Sequence, residues 1–226
     1  MLHNTQSLYG RKLSATDGEF GHVKDFYFDD QTWATRYLVV DTGTWLTGRI
    51  VLLPSNAFEA DPFSDSGHVS VNLSHKEIED CPPITEHQTV SRQYEEDFYN
   101  HYGWPGYWQT GGMWRATLEP VVMVPPDEQQ ALPAAEDIHL RSANEMMGYH
   151  IHATDGEIGS VSGFMIDDNS WEIREIAVES GHWYAGKIIY LLTENIIRIS
   201  YTDSSVYVNL TMDDIRETAE NHVVTV

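Results

Sequence analysis

The sequence ATDGEFGHVKDFYFDD at residues 15–30 returns as ATDGEIGSVSGFMIDD at residues 153–168. Around these stretches, residues 15–58 align with residues 153–196 without a gap, and 18 of the 44 aligned positions are identical. Chance does not produce such identity over an ungapped run of this length. The sequence therefore predicts an internal duplication.

A second pair of matching segments extends the duplication. VSVNLSHKEI from Val69 matches VYVNLTMDDI from Val206 after a slip of one residue. The chain is therefore predicted to consist of three parts: a first copy at residues 1–81, a linker at residues 82–137 and a second copy at residues 138–226.

Each copy has the signals of short strands separated by turns. Asp17-Gly18 and Asp155-Gly156 are typical of tight hairpins, and the imperfect apolar alternation that follows them predicts a β-bulge. The last strand of each copy runs into a short helix whose first residues have the spacing of a capping box: Ser74 with Glu77, and Thr211 with Asp214. About six strands and one C-terminal helix per copy favour a small closed barrel, which leaves no sheet edge exposed.

The repeated pattern resembles a known family. From Gly10 and from Gly148 the chain follows G-(x)4-ATDGE-[FI]-G-x-V-x-[DG]-F-x-[FI]-DD-x-x-W, and V-N-L-[ST] follows near the end of each copy. This pattern is similar to the PRC-barrel domain, named for the cytoplasmic part of the photosynthetic reaction-centre H subunit. The resemblance implies an all-β chain of two tandem barrels that mediates assembly with other proteins, and it implies no catalytic residues.

The formal net charge of −22 at pH 7 excludes whole classes of partner. It repels the phosphates of nucleic acid and of anionic lipid, so we expect no nucleic-acid partner. The chain starts without a signal-peptide pattern and has no apolar run long enough to span a bilayer, so no direct membrane insertion is expected. With Cys81 as the single cysteine, no disulfide can form within the chain. These features together predict a cytoplasmic protein.

Two groups of residues are weak candidates for metal ligands. Carboxylates in consecutive pairs suit a hard cation such as calcium, but turn formation explains them better because no further spaced ligand follows. Two histidines at alternate positions of one strand point to the same face and could bind a transition metal, but two ligands are fewer than the three or four that zinc sites use. These candidates are Asp29, Asp30, Asp167, Asp168, His150 and His152.

The sequence contains no recognisable catalytic motif. It has no phosphate-binding glycine loop, no HExxH and no G-x-S-x-G. Cys81 follows the acidic run EIED, which opposes the electropositive surroundings that a nucleophilic thiolate needs. We therefore expect a protein without enzymatic activity and without a cofactor.

The linker is the most distinctive segment. Seven of the 17 residues from Phe98 to Trp114 are aromatic, and interspersed glycine and proline forbid a long regular element. Such rings either pack on the chain's own barrels, dock on another protein, or pack on a second copy of the chain. The residues singled out for this role are Tyr102, Trp104, Tyr107, Trp108 and Trp114.

Two functions follow from these features. The first is a non-enzymatic interaction or assembly module with an unidentified protein partner, forming a homodimer or a larger homo-oligomer. The alternative is a protein, an enzyme included, that binds a small ligand or a divalent metal between the barrels or at the Asp-Asp turns.

Overall fold

The computed structural model describes residues 1–58, 67–81, 95, 99–104, 106, 140–184 and 186–221. We call residues 1–81 half 1 and residues 138–226 half 2. Half 1 contains six strands and one helix: β1 Leu2–Asn4, β2 Lys12–Ala15, β3 Gly18–Asp29, β4 Thr35–Asp41, β5 Ile50–Pro54, β6 His68–Ser70 and α1 His75–Glu79.

Half 2 repeats this order and has one more strand. Its elements are β7 Leu140–Ser142, β8 His150–His152, β9 Glu157–Asp167, β10 Ile173–Ser180, β11 Ile188–Leu192, β12 Ile196–Ser200, β13 Ser205–Val208 and α2 Met212–Asn221. The counterpart of β12 would fall at residues 58–62, most of which lie outside the described residues. Among the described residues, no helix has the length and apolar character needed to cross a bilayer.

The strands form two sheets. One has the order β5-β4-β3-β2-β6 with β7 added beside β3, and the other has the order β11-β10-β9-β8-β13-β12 with β1 added beside β9. The predicted β-rich class is confirmed. In the described part of the chain each sheet is an open series of strands, so closure into two barrels stays a prediction.

The first strand of each half belongs to the sheet of the other half. β1 pairs with β9, with Leu2 opposite Asp167, while β7 pairs with β3, with Leu140 opposite Asp29. Leu2 and Leu140 lie 138 positions apart, the same offset as Ala15 and Ala153. The halves therefore exchange equivalent strands. The predicted boundaries at residues 1–81 and 138–226 assign β1 and β7 to the halves whose sheets they do not join.

A pseudo-twofold seam joins the halves. Ala34 and Glu172, which are equivalent positions, form an isolated antiparallel bridge. Phe28 and Phe164 meet across the halves with ring centroids 5.8 Å apart, and buried apolar residues from both halves form one continuous core. A unit of about 80 residues buries only somewhat over half of the surface that its unfolded chain exposes, so this shared core stabilises both halves.

The predicted bulges and caps are present. The β3–β4 register shifts between Val23 and Asp25, and the β9–β10 register shifts in the same part of half 2. The Ser74 side chain accepts the backbone N–H of Glu77 while the Glu77 carboxylate accepts that of Ser74. Thr211 and Asp214 make the same reciprocal pair in half 2.

Candidate interaction surface

Half 1 buries both faces of its strands β4 and β5. One face packs into the main core, and the other forms a second apolar cluster on the outside of the sheet. We call this outer surface the covered face. It consists of Tyr37, Val39, Ile50, Leu52, Cys81 and Leu140, with Tyr99 packed against it.

The linker provides the cover. Tyr99 is 2% exposed and lies edge-on to Tyr37, with ring centroids 6.5 Å apart. The Tyr37 hydroxyl donates a hydrogen bond of 3.0 Å to Oε1 of Glu95, and both side chains are buried. The linker therefore contributes an aromatic ring and a buried acceptor to half 1.

Two of the five predicted docking residues lie at the border of this cover. Tyr102 and Trp104 stack with ring centroids 4.6 Å apart, and both pack against the buried clusters of the chain. The Tyr102 hydroxyl donates to the carbonyl of Glu77 at 2.9 Å, which attaches the linker to helix α1. Tyr107, Trp108 and Trp114 lie outside the described residues.

Cys81 lies under this cover and is 1% exposed. Burial raises the pKa of its thiol to about 11, although a hydrogen bond with Tyr102 and the charge of Arg49 oppose the rise. A thiol in this state is a small apolar side chain rather than a nucleophile.

Half 2 exposes the outer side chains of β1 and β11 on the equivalent surface, while Glu175 and Ala177 of β10 between them are buried. Leu2 is 42% exposed where its equivalent Leu140 is 8% exposed, and Ile188 is 48% exposed where Ile50 is 7% exposed. Leu192, at the position of the buried Pro54, is 41% exposed. We call this surface the open face and define it by Leu2, Glu175, Ala177, Ile188, Tyr190 and Leu192.

One position distinguishes the two faces chemically. Glu175 of β10 occupies the place that Tyr37 has in β4, and it is 7% exposed. It pairs across the sheet with Leu192, as Tyr37 pairs with Pro54. The open face therefore has an acidic side chain where the covered face has a phenol.

The first aspartate of each Asp-Asp pair stabilises a turn. Oδ1 of Asp29 accepts the backbone N–H groups of Gln31 and Thr32, each at 3.0 Å. Asp167 makes the equivalent bonds with Asn169 and Ser170 at 2.9 and 3.0 Å. Partial burial acts to raise the pKa of Asp167, but these bonds outweigh it and hold the pKa below its usual range.

The second aspartate of each pair contacts residues of the other half. Oδ2 of Asp30 accepts from Nε of Arg141 at 3.0 Å and from the Tyr201 hydroxyl at 2.7 Å. Asp168 contacts His3 at 3.2 Å and the N-terminal ammonium of Met1. The sequence did not predict these pairs because the partners are distant in the chain. The signal for them was that His3 and Arg141 are basic residues 138 positions apart.

The two candidate histidines are engaged separately. Nδ1 of His150 lies 2.9 Å from Oε1 of Glu157, just as the equivalent Lys12 lies 3.3 Å from Glu19. His152 stacks on Tyr207 with ring centroids 5.2 Å apart. Within the described ranges, no three His, Cys, Asp or Glu side chains converge on a metal-binding point.

A cleft of about 370 Å³ opens at the seam. Half 1 contributes Asp30, Gln31 and Trp33 to its lining, and half 2 contributes residues 196–199 and Tyr201. This cleft is the feature that corresponds to the predicted ligand site between the barrels.

A further repeated residue links each hairpin to its half's C-terminal helix. Oδ1 of Asp17 accepts the backbone N–H of His75, and Oδ1 of Asp155 accepts that of Met212, both at 2.9 Å. The repeated Asp-Gly pair was interpreted only as a turn signal. Its aspartate also caps a helix more than 50 residues away, a role that no local pattern contains.

No family model matches this chain, and no curated protein matches its sequence. The repeat within the sequence therefore supplies the comparison on which a functional conclusion can rest. One half has a cover on the surface that the other half exposes.

Proposed function

We propose that this chain is a non-enzymatic interaction or assembly module built from two PRC-barrel-type halves, and that it binds its partner protein with the open face. The observation that carries the proposal is the contrast between equivalent residues: Ile50 is covered and Ile188 is not. The repeated motif supports the family resemblance. The exchanged strands and the shared core support a rigid two-half scaffold for the docking surface.

The exposed apolar side chains favour a protein partner over a solvated surface. Ile188 and Leu192 are exposed on β11, which is an end strand of its sheet in the described part of the chain, and Leu2 is exposed on β1 at the far side of β10 and β9. Exposed apolar side chains and unpaired sheet edges of this kind mark interaction sites. Half 1 has the same patch and covers it.

The covered face indicates the chemistry of the partner. There, an aromatic segment that includes Tyr99, Tyr102 and Trp104 packs on the sheet. Completing the burial of three half-exposed aliphatic side chains contributes about 3 kcal/mol. A micromolar complex requires about 8 kcal/mol. The partner must therefore add large contacts of its own, which aromatic residues supply at protein interfaces.

A crosslinking experiment in the native cell tests this proposal. The photoreactive residue p-benzoylphenylalanine is placed at position 192 on the open face, or at position 197 as a control, since Ile197 is 66% exposed on β12. We expect position 192 to crosslink to an aromatic segment of another protein that mass spectrometry identifies. The Ile188→Asp variant should lose this product.

Three results would contradict the proposal. Absence of any specific product at position 192 means that the open face has no protein partner. Equal products at positions 192 and 197 mean non-specific contact. Crosslinking only to a second copy of the chain assigns the face to self-assembly instead.

The second candidate function is binding of a small ligand, and the seam cleft is the observation that favours it. Trp33 and the aliphatic residues of β12 provide an apolar wall, while Asp30 and Arg198 provide polar groups. Native mass spectrometry of the chain purified from its own cells tests this function. A retained small molecule that the Trp33→Ala variant loses would support it, and an apo mass would contradict it.

A further inference from the structure

We propose that the partner protein adds a strand to the outer edge of β11. An extended segment of the partner, apolar at alternate positions and flanked by lysine or arginine, pairs with this strand backbone to backbone. This proposal rests on the proposed function and adds the way in which the partner binds the open face. Three features support it: the outward backbone groups of β11, a proline at the equivalent place in half 1, and acidic residues at both ends of the strand.

The backbone of β11 presents hydrogen-bonding groups at the edge of its sheet. Ser180 donates its N–H to the carbonyl of Lys187 at 2.9 Å, which makes this pair of the β10–β11 register a hydrogen-bonded one. Hydrogen-bonded and non-hydrogen-bonded pairs alternate along an antiparallel ladder, so Ile188, Tyr190 and Leu192 occupy non-hydrogen-bonded places, and their N–H and C=O groups point away from β10. In the described part of the chain, only β10 pairs with β11, so an added strand would find these groups in a row.

β11 lacks the features that protect an edge strand from pairing. Its sequence IIYLL contains no charged residue and no proline, and its register with β10 has no bulge. Natural sheets commonly block an edge with such devices. The outward side chains of the same strand include Ile188 and Leu192, which are 48% and 41% exposed. β11 therefore offers both backbone groups and apolar contacts to an extended segment.

Half 1 has one of these protective devices at the equivalent place. Pro54 lies in β5 at the position of Leu192, and β5 is likewise an end strand in the described part of the chain. Thr42 donates to the carbonyl of Arg49 at 3.1 Å, so the same alternation places the nitrogen of Pro54 at the outer edge. A proline nitrogen carries no hydrogen and interrupts the row of donors. The edge of half 1 is therefore blocked at a position where the edge of half 2 is open.

The charges at the ends of β11 indicate which segments bind. Glu179 lies opposite Ile188 in the β10–β11 register, Glu194 follows the strand by two residues, and both glutamates are exposed. Lys187 is also close, but successive strand residues point to opposite faces, and its ammonium lies over the ring of Tyr184. In a chain with a net charge of −22, these glutamates repel an acidic segment and attract a basic one. The partner segment is therefore apolar in its middle and basic at its ends.

Peptide selection on the full-length chain tests the proposal. A phage library of random peptides is selected against the immobilised chain, and the enriched peptides are synthesised with fluorescein for anisotropy titrations. We expect them to have aliphatic or aromatic residues at alternate positions, with lysine or arginine on either side. Methylation of the backbone nitrogen at every second residue should raise the Kd about tenfold or more, and methylation at the residues between should not, because only alternate N–H groups of a strand face one neighbour.

Leu192→Pro gives half 2 the residue that blocks half 1, and Leu192→Val is its matched control. Leu192 has a φ of −61°, which proline adopts without strain, so this variant should keep its fold and melt as the wild type does by circular dichroism. It removes the outward N–H and keeps an apolar side chain. We expect Leu192→Pro to raise the Kd of the enriched peptides about tenfold, and Leu192→Val to leave it within about twofold of the wild type.

The Ile188→Asp variant separates this proposal from the proposed function. Peptides that bind Leu192→Pro and Leu192→Val equally well, yet lose binding to Ile188→Asp, would overturn the strand pairing and leave the open face as a docking surface. If no peptide is enriched, or if none of these variants weakens the enriched peptides, both proposals are overturned. A chain that light scattering finds dimeric as wild type and monomeric as Leu192→Pro would place a second copy on this edge, which also overturns the proposal.

Discussion

Trp33 and Trp171 hold equivalent places on the two sides of the seam, and each backbone carbonyl accepts an N–H from the opposite half. Thr35 donates to Trp171 at 2.7 Å, and Ile173 donates to Trp33 at 2.8 Å. Both tryptophans have the left-handed backbone conformation, with φ of 59° and 57°. This conformation is uncommon for a bulky residue. At both positions it accompanies a local turn bond, because Trp33 donates its N–H to the carbonyl of Asp29 at 2.7 Å and Trp171 donates to that of Asp167 at 2.8 Å.

We expect Gly159→Ala to destabilise the chain strongly. A Cβ atom at Gly159 would collide with the backbone carbonyl of Glu179, and one at Gly21 would lie 2.5 Å from the carbonyl oxygen of Asp41. Backbone cannot move aside cheaply, so we expect a loss of about 2 kcal/mol or more, measured by urea unfolding. Gly43→Ala is the control, because Gly43 has φ of 59° and open space around it, and should cost about 1 kcal/mol. Equal losses for the two variants would refute the collision.

We expect Asp25→Asn to flatten the dependence of stability on pH. Burial raises the pKa of Asp25, although hydrogen bonds from Ser142, Asn144 and Phe26 oppose the rise. Between the usual carboxyl pKa near 4 and the raised value, the folded chain retains a proton that the unfolded chain releases. The contribution of Asp25 to the free energy of unfolding therefore falls as pH rises through that window.

Paired urea titrations from pH 4 to pH 8 measure the effect. Asparagine can accept the same N–H groups through its oxygen and donate to Ser142, so the variant should match or exceed the wild type at pH 7. The difference between the two curves removes the contribution of the other carboxylates. A variant that is less stable at pH 7 than at pH 4, relative to wild type, would overturn the prediction.

We expect Cys81 to be unreactive in the folded chain. With a thiol pKa of about 11, about 0.1% of the side chain is thiolate at pH 8, and the atom is buried as well. Labelling with Ellman's reagent should be slow in buffer and fast in urea. Trp104→Ala should accelerate labelling by opening the cover, while Trp183→Ala, which removes a ring from half 2, should not. Fast labelling of the wild type would show that the cover is not closed.

We expect Tyr99→Ala to cost about 3 kcal/mol of unfolding free energy, since it removes a ring that is 2% exposed from the covered face. Tyr190→Ala, on the open face, should cost less than about 1 kcal/mol because its ring is only half-buried. Chemical denaturation of both variants measures the difference. Equal costs would mean that the two faces are not energetically distinct.

The sequence predicted the local features of this protein well. The hairpins, the bulges and the Ser74–Glu77 capping box depend on residues a few positions apart. The Asp-Asp turns were also predicted in type, because an aspartate that accepts N–H groups two and three residues later needs no distant partner.

The candidate site was predicted only in part. The aromatic density around Tyr102 and Trp104 marked the linker, but three packing arrangements remained open because a sequence does not state which surface a ring meets. The contact between Tyr37 and Glu95 carried no local signal, because the two residues lie 58 positions apart.

By itself the sequence determined that two of its stretches match, where its turns and helix caps lie, and that strands dominate, because turn formation and capping depend on residues close together in the chain. Tertiary structure decided that β1 and β7 change places between the sheets. It also decided that Ile50 is covered while Ile188 is exposed. The two isoleucines lie in similar local patterns, but Tyr99 of the linker packs on the cluster that contains Ile50, so burial depends on a contact between distant segments and not on the repeat.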